Sequence, residues 1–196
     1  MLREARKAEL KERLFQEALQ LFCDKGYENV TVQEIASQCG IAKGTFFNYF
    51  ARKEDILLYL GESQLEWLEQ SAAQHQHVEE PKEQIWLVLN DLLQRFAAHS
   101  ELMKLAAVEM IKSAYLAERE SRSVLQLHAQ IAGLIDAAKA EGRLRSRWDT
   151  ADIATTLVSV YFHTMMSWTL LAASRESIGD SLRKHLHVVW DGIDTE

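Results

Sequence analysis

Proline occurs once in this chain of 196 residues and glycine only eight times. So few breakers leave long stretches uninterrupted, and alternation of apolar and polar residues is nowhere sustained, which excludes a sheet of short strands and tight turns. Cysteine is scarce too. Cys23 and Cys39 stand apart with no C-x-x-C pairing, which excludes a disulfide framework and a thiolate metal site. Both fall near apolar helical positions and read as buried structural residues. The opening segment MLREARKAELKERL lacks the apolar core of a signal peptide, so a cytoplasmic protein is expected. No G-x-S-x-G, H-E-x-x-H, P-loop or dinucleotide-binding glycine pattern occurs, so an enzyme is not expected, and neither is a cofactor or metal. His75 and His77 have no acid or cysteine at ligand-like spacing and read as a polar loop.

What the chain has is hydrophobic residues, 47% of the total, recurring at helical spacing. Leu10, Leu14, Ala18, Leu21 and Phe22 predict a first helix ended by Gly26, with Arg3, Arg6 and Lys7 ahead of it as a solvated tail. Ile56, Leu57, Trp67 and Leu68 predict a long fourth helix from about Lys53. Glu80-Pro81 opens a fifth and Ser100 caps a sixth. Residues 121–141, stopped by Gly142, form a seventh, and 153–173 and 177–193 supply the last two. The fold class is therefore all-α with about nine helices. A three-helix domain spans residues 1–52, and a helical body spans 53–196.

The stretch from Thr31 to Leu57, TVQEIASQCGIAKGTFFNYFARKEDIL, has a steric reason at each small or apolar position. Thr31 and Glu34 are spaced as a capping box. Ile35 points inward, and Ala36 is small where a second helix must cross closely. Gly40 stands where the chain reverses with φ > 0, and Ile41 plugs the corner. A second helix is expected from about Ala42 to Phe50, its Phe46 and Phe50 sharing the inward face. This is a helix-turn-helix, whose second helix enters the DNA major groove. With the two phenylalanines anchored, Lys43, Gly44, Thr45, Phe47 and Asn48 become the groove-facing candidates. Lys43, Arg52 and Lys53 put positive charge at both ends, where phosphates pass. The net charge of −7 does not oppose this, because residues 1–60 carry nine basic and nine acidic side chains and all the excess acid lies beyond them.

The segment GYENVTVQEIASQCGIAKGTFFNYFARKEDIL also resembles the N-terminal domain of TetR-family transcriptional regulators, with K-G-T, Y-F and K-E-D all in register. The motif-level resemblance covers about Leu10 to Leu60. It implies that Thr31, Lys43, Tyr49 and Lys53 touch the DNA backbone while Gly44, Thr45 and Asn48 lie against base edges. Two residues depart from the family pattern. Ala42 stands where the family often has serine. Phe47 replaces a tyrosine whose hydroxyl reaches a phosphate, so its ring is left to pack on sugar or a thymine methyl.

The uncharged run Ile153 to Ala173 is long enough to span a membrane, yet seven of its residues are Thr, Ser or His and it lacks an aromatic belt with basic flanks. A helix apolar nearly all round is instead covered on two sides, by its own domain and by a partner. The last two helices, about 150–193, then form a homodimer, as the resemblance also implies. The alternative is a monomer with a deeper core. The resemblance further implies a small-molecule effector in the helical body, lined by Trp67, Trp86, Phe96, Met103, Met110, His128, Phe162 and Met166. The same residues also read as plain core. The expected function is a dimeric ligand-responsive regulator binding double-stranded DNA, a repressor released from a pseudo-palindromic operator by a small, largely apolar effector. The alternative is an all-helical protein–protein adaptor without DNA binding.

Overall fold

The computed structural model describes residues 2–98, 100–171 and 177–193, and among these there are helices and no strand. Helix α1 (Leu2–Lys25) buries Leu14, Ala18, Leu21 and Phe22 along one face. Gly26, at φ 80°, ends it by donating its N–H to the Phe22 carbonyl at 2.9 Å. The expected N-terminal tail is instead helical from Leu2, because LREARKAEL consists of strong helix formers. The two cysteines separate. Cys39 is buried as expected, but Cys23, one residue and about 100° round the helix from Phe22, is exposed.

A short 3-10 turn (Tyr27–Asn29) leads to α2 (Val32–Gln38), α3 (Lys43–Phe46) and α4 (Asp55–Gln74). There follow α5 (Pro81–Ala97), α6 (Ser100–Lys112), α7 (Ala114–Ala140), α8 (Thr150–Leu171) and α9 (Ile178–Ile193). Glu80 caps α5 through the Lys82 amide at 3.1 Å with Pro81 in the first turn, and Gly142 at φ 70° follows α7. The predicted second helix of the helix-turn-helix is shorter than expected: only four residues keep α geometry. Beyond Phe46 the amides of Asn48 and Tyr49 reach back three residues, to Thr45 and Phe46, which tightens the chain into turns.

The chain forms two compact units, residues 1–61 with 101–117, and residues 62–100 with 118–196. In the first, Phe15, Phe22, Tyr27, Phe46 and Phe50 make an aromatic core; Phe15 and Phe50 meet Tyr59 edge-on at 5.0 and 5.9 Å. In the second, Ile131, Ile135, Leu157, Tyr161 and Leu182 are fully buried. There α5 and α9 pack so closely that a Cβ on Gly179 would stand 2.4 Å from Asn90 Oδ1. His75 lies in the turn after α4, as the polar-loop reading expects, but it is not fully solvated. It is half-buried, and its Nε2 lies 2.9 Å from Asp91 Oδ2, which also accepts from Ser71 Oγ at 2.6 Å. The α4–α5 crossing brings these groups together across sixteen or more residues of sequence. Among the described residues no helix is long and apolar enough to cross a membrane, and no three His, Cys, Asp or Glu side chains cluster as a metal site.

Candidate nucleic-acid interface

The surface begins with the cap of α2. Glu34 N–H donates to Thr31 Oγ1 at 3.2 Å, while Thr31 N–H and hydroxyl both donate to Glu34 Oε2 at 2.9 Å. The Thr31 amide, and then Lys25 Nζ at 3.0 Å, hold the Glu34 carboxyl down to about 2. At the other end of α2, Gly40 at φ 67° lets the Ile41 N–H turn back to the Ala36 carbonyl at 2.9 Å. The Arg13 guanidinium, from α1, donates to the Cys39 carbonyl. The corner is thus tied to α1 as well as to its own glycine. Burial pushes the Cys39 thiol up, so it stays neutral there.

Helix α3 starts without a side-chain cap, since Ala42 has no acceptor to offer. Its rotation is set by Phe46, fully buried, and by Phe50, whose rings are 5.7 Å apart. Burying rings of this size contributes roughly 1.5–3 kcal/mol each, enough to fix which side of so short a helix faces out. The outward side carries Lys43, Gly44, Phe47 and Asn48, all exposed, with Thr45 and Tyr49 half-buried beside them. Phe47 keeps 46% of its surface in solvent, an unusual position for a phenylalanine. Around Gly44 there is open space: an added Cβ would meet nothing within 4 Å.

Lys53 behaves differently from the other candidate cations. Its Nζ donates to the Tyr27 and Val30 carbonyls at 2.8 and 3.1 Å and sits 4.1 Å above the Tyr27 ring. Tyr27 itself is buried, and among the described residues its hydroxyl has no hydrogen-bond partner; burial, then the Glu54 and Glu109 carboxylates, raise its pKa and keep it protonated. Arg52, exposed, stacks on Tyr115 at 4.3 Å. Its backbone N–H donates to Asp55 Oδ2 at 3.0 Å, while the Tyr115 hydroxyl donates to Asp55 Oδ1 at 2.6 Å. Tyr115 therefore orients the first turn of α4 and the arginine before it. Sequence reading missed Tyr115. It lies sixty residues from Asp55 with no local pattern to mark it.

The candidate effector residues stand in different surroundings. Phe96 is buried in the core, and Trp67 stacks with Arg95 at 5.2 Å. His128, half-buried, lies 3.5 Å from Thr155 Oγ1. Phe162 meets Tyr161 edge-on, and Met166 is half-buried. Trp86 lines a cleft between α5 and α9. The side chains of Met103 and Met110 lie outside the described residues.

A capped first helix, a glycine corner and a short second helix with an exposed polar side define a helix-turn-helix protein. The sequence family "Bacterial regulatory proteins, tetR family" matches residues 14–60. An HTH-type transcriptional regulator of Bacillus subtilis, YerO, is 36% identical over 110 residues, 53% of this chain and 37% of that protein. A second from the same organism, YuxN, is 55% identical over 49 residues, 24% of this chain and 17% of its own. This chain thus spans well under two thirds of either relative's length. Among solved structures, the Thermus thermophilus repressor FadR in complex with lauroyl-CoA is 26% identical, with 95% of this chain and 96% of that one covered at a TM-score of 0.75. Bacillus subtilis FadR in complex with stearoyl-CoA shares the fold at 18% identity, with 93% and 98% covered and a TM-score of 0.75. Residues 14–60 thus match the TetR-family DNA-binding domain, and the chain shares its fold with TetR-family regulators of solved structure; these relatives are transcriptional regulators rather than enzymes.

Proposed function

We propose that this protein is a dimeric repressor that reads a pseudo-palindromic operator through α3 and is released from it by a small-molecule effector. The observation that carries the reading is the outward side of α3. Lys43, Gly44, Thr45, Phe47, Asn48 and Tyr49 line one short helix and its turn, the side opposite two buried phenylalanines, with open space at Gly44 for a close approach of DNA. Lys43, Thr31, Arg52 and Lys53 flank it at phosphate positions. Lys53 gives two of its donors to protein carbonyls, so its contribution there is chiefly to hold the loop.

The partner is a second copy of the chain, docked on α8 and α9. Trp148 and Val188 are exposed, at 44% and 75%, beside a cleft of about 410 Å³ bordered by Thr156 and Gly192. The hydroxyls of Thr155, Thr156 and Ser159 donate to carbonyls four residues back at 2.7–2.8 Å. Their polarity is spent within α8, so a face that reads as polar can dock nearly dry.

For the effector, the likeness to acyl-CoA-bound FadR makes a long-chain acyl-CoA the compound class to try. An effector that prefers the DNA-incompetent dimer shifts the population away from the operator. Helix α4 supplies residues to both units and is the proposed coupling element. The test is selection of bound duplexes from a random pool, followed by titration of the selected duplex with lauroyl-CoA at fixed salt. We expect a palindromic site that is released saturably. Failure to select any duplex overturns the DNA reading, and saturable acyl-CoA binding with unchanged operator affinity overturns the coupling.

A further inference from the structure

Two imidazoles meet on the outer side of the last two helices. The rings of His163, on α8, and His185, on α9, lie 5.9 Å apart between centroids at an interplanar angle of 57°. His163 is exposed and His185 half-buried. Successive residues of a helix turn by about 100°, which sets His163 between Asp152 and Thr156 around α8, and His185 between Gly192 and Val189 around α9. Both therefore belong to the face proposed for the dimer. They also stand near the midpoints of Thr150–Leu171 and Ile178–Ile193. Where two copies pair these helices about a two-fold axis, residues at the midpoints lie nearest that axis.

Hydrogen bonds decide which nitrogen of His185 carries the proton. Thr164 Oγ1 donates to the Val160 carbonyl at 2.8 Å, so its one proton is used and it can offer His185 only a lone pair. His185 Nδ1, at 3.0 Å from that oxygen, is then the donor, and Nε2 of the neutral ring keeps its lone pair. Ser167 Oγ stands 3.3 Å from His163 Nε2, and when Nε2–H donates to it, Nδ1 is the lone-pair nitrogen of that ring. An imidazole oriented through one nitrogen and presenting the other is the arrangement of a metal ligand. Two imidazoles on one tetrahedral zinc, with Zn–N near 2.0–2.1 Å, put their centroids roughly 5–5.5 Å apart. Small side-chain rotations span the difference from 5.9 Å.

We infer that His163 and His185 are half of a site for a divalent transition metal that favours nitrogen ligands, completed on the two-fold axis by the same pair from a second copy. The site rests on the proposed α8–α9 dimer. Two nitrogens from each chain fill the four positions of a tetrahedral ion such as zinc, and metal sites in bundle cores are built in this way from side chains on facing helices. The ion also gives the imidazole lone pairs a partner on a face that docking dries out, where unpaired polar atoms are costly.

The experiment titrates the full chain, first stripped of metal with a chelator, with zinc chloride by calorimetry, and measures sedimentation before and after. We expect one zinc ion per two chains with a micromolar or tighter Kd. The ion should tighten the dimer by roughly tenfold or more, since it binds the paired form. His163→Ala, at an exposed position, should weaken zinc binding by about tenfold or more while the metal-free protein keeps its fold, and His185→Ala should weaken it likewise. His187→Ala, on the far side of α9, should leave zinc affinity unchanged, and magnesium, which takes oxygen ligands, should not bind. A metal-free dimer that binds no zinc overturns the site and leaves the dimer standing. A chain that sediments as a monomer with and without zinc overturns the dimer reading and the shared site with it. One zinc per chain, or zinc binding indifferent to His163→Ala, also overturns the shared site.

Discussion

Single residues on α3 separate folding from recognition because so few of its side chains do both. Gly44 has ordinary helical backbone and open space around it, so Gly44→Ala should leave the fold intact and raise stability by up to about 1 kcal/mol. If DNA approaches as closely as proposed, operator affinity should fall about tenfold, or ~1.4 kcal/mol. Thermal melts and anisotropy titrations on the same sample check both, and unchanged affinity would remove Gly44 from the interface. Lys43→Ala should weaken binding to every sequence and flatten the slope of log K against log salt by roughly one per half-site, whereas Asn48→Ala should relax preference at particular base pairs. Glu34 provides a pH handle. Its pKa is depressed to about 2 in the fold, so its stabilising contribution is present above the ordinary carboxylate range near 4.3 and is lost as pH falls towards 2. Comparing wild type with Glu34→Gln, the gap in melting temperature at pH 6 should close between pH 4.5 and 2.

At the scale of elements, the first unit depends on one aromatic anchor and one distant clasp. Phe46→Ala removes a fully buried ring and should cost about 3–5 kcal/mol, with α3 the first structure lost. The clasp is Tyr115, at the start of α7, whose hydroxyl holds Asp55 at 2.6 Å while its ring supports Arg52. Tyr115→Phe keeps the ring and deletes one bond to a charged acceptor, which should cost about 1.5–3 kcal/mol. Protection of the α4 amides against hydrogen exchange should fall most in its first turn; uniform loss along the helix would show that the bond does not act as a cap. In the second unit, Gly179→Ala must displace the Asn90 amide oxygen, at 2.4 Å from the new Cβ, and with it the bond from Gln94 at 3.2 Å. The side chain can yield, so a modest loss of about 1–2 kcal/mol is expected.

For the whole molecule the surface to test is the proposed dimer face on the outer side of α8 and α9. Val188 is three-quarters exposed, so Val188→Glu should fold normally while setting two like charges against each other across the proposed two-fold axis. Sedimentation should change from dimer to monomer. Operator affinity should then drop far more than any single base contact explains, because two linked reading heads bind by effective concentration. A dimer that persists with unchanged sedimentation would move the interface elsewhere.

Local rules were enough to read the helix-turn-helix from the residues: the Thr31–Glu34 cap, the corner glycine and the inward pair Phe46 and Phe50 all follow from steric and hydrogen-bonding demands met within a few positions. Helix existence along the body was legible for the same reason, through the 3.6-residue recurrence of apolar side chains. What chain order could not encode was which distant groups meet. The Tyr115–Asp55 clasp, the Ser71–His75–Asp91 cluster and the diversion of Lys53 to the Tyr27 and Val30 carbonyls all join residues 16 or more apart. Periodicity marks the face a residue occupies but carries no information about its neighbour on another helix. The early end of α3 belongs here too: three-residue hydrogen bonds win once Phe46 and Phe50 are both drawn into a core that only the packed helices create.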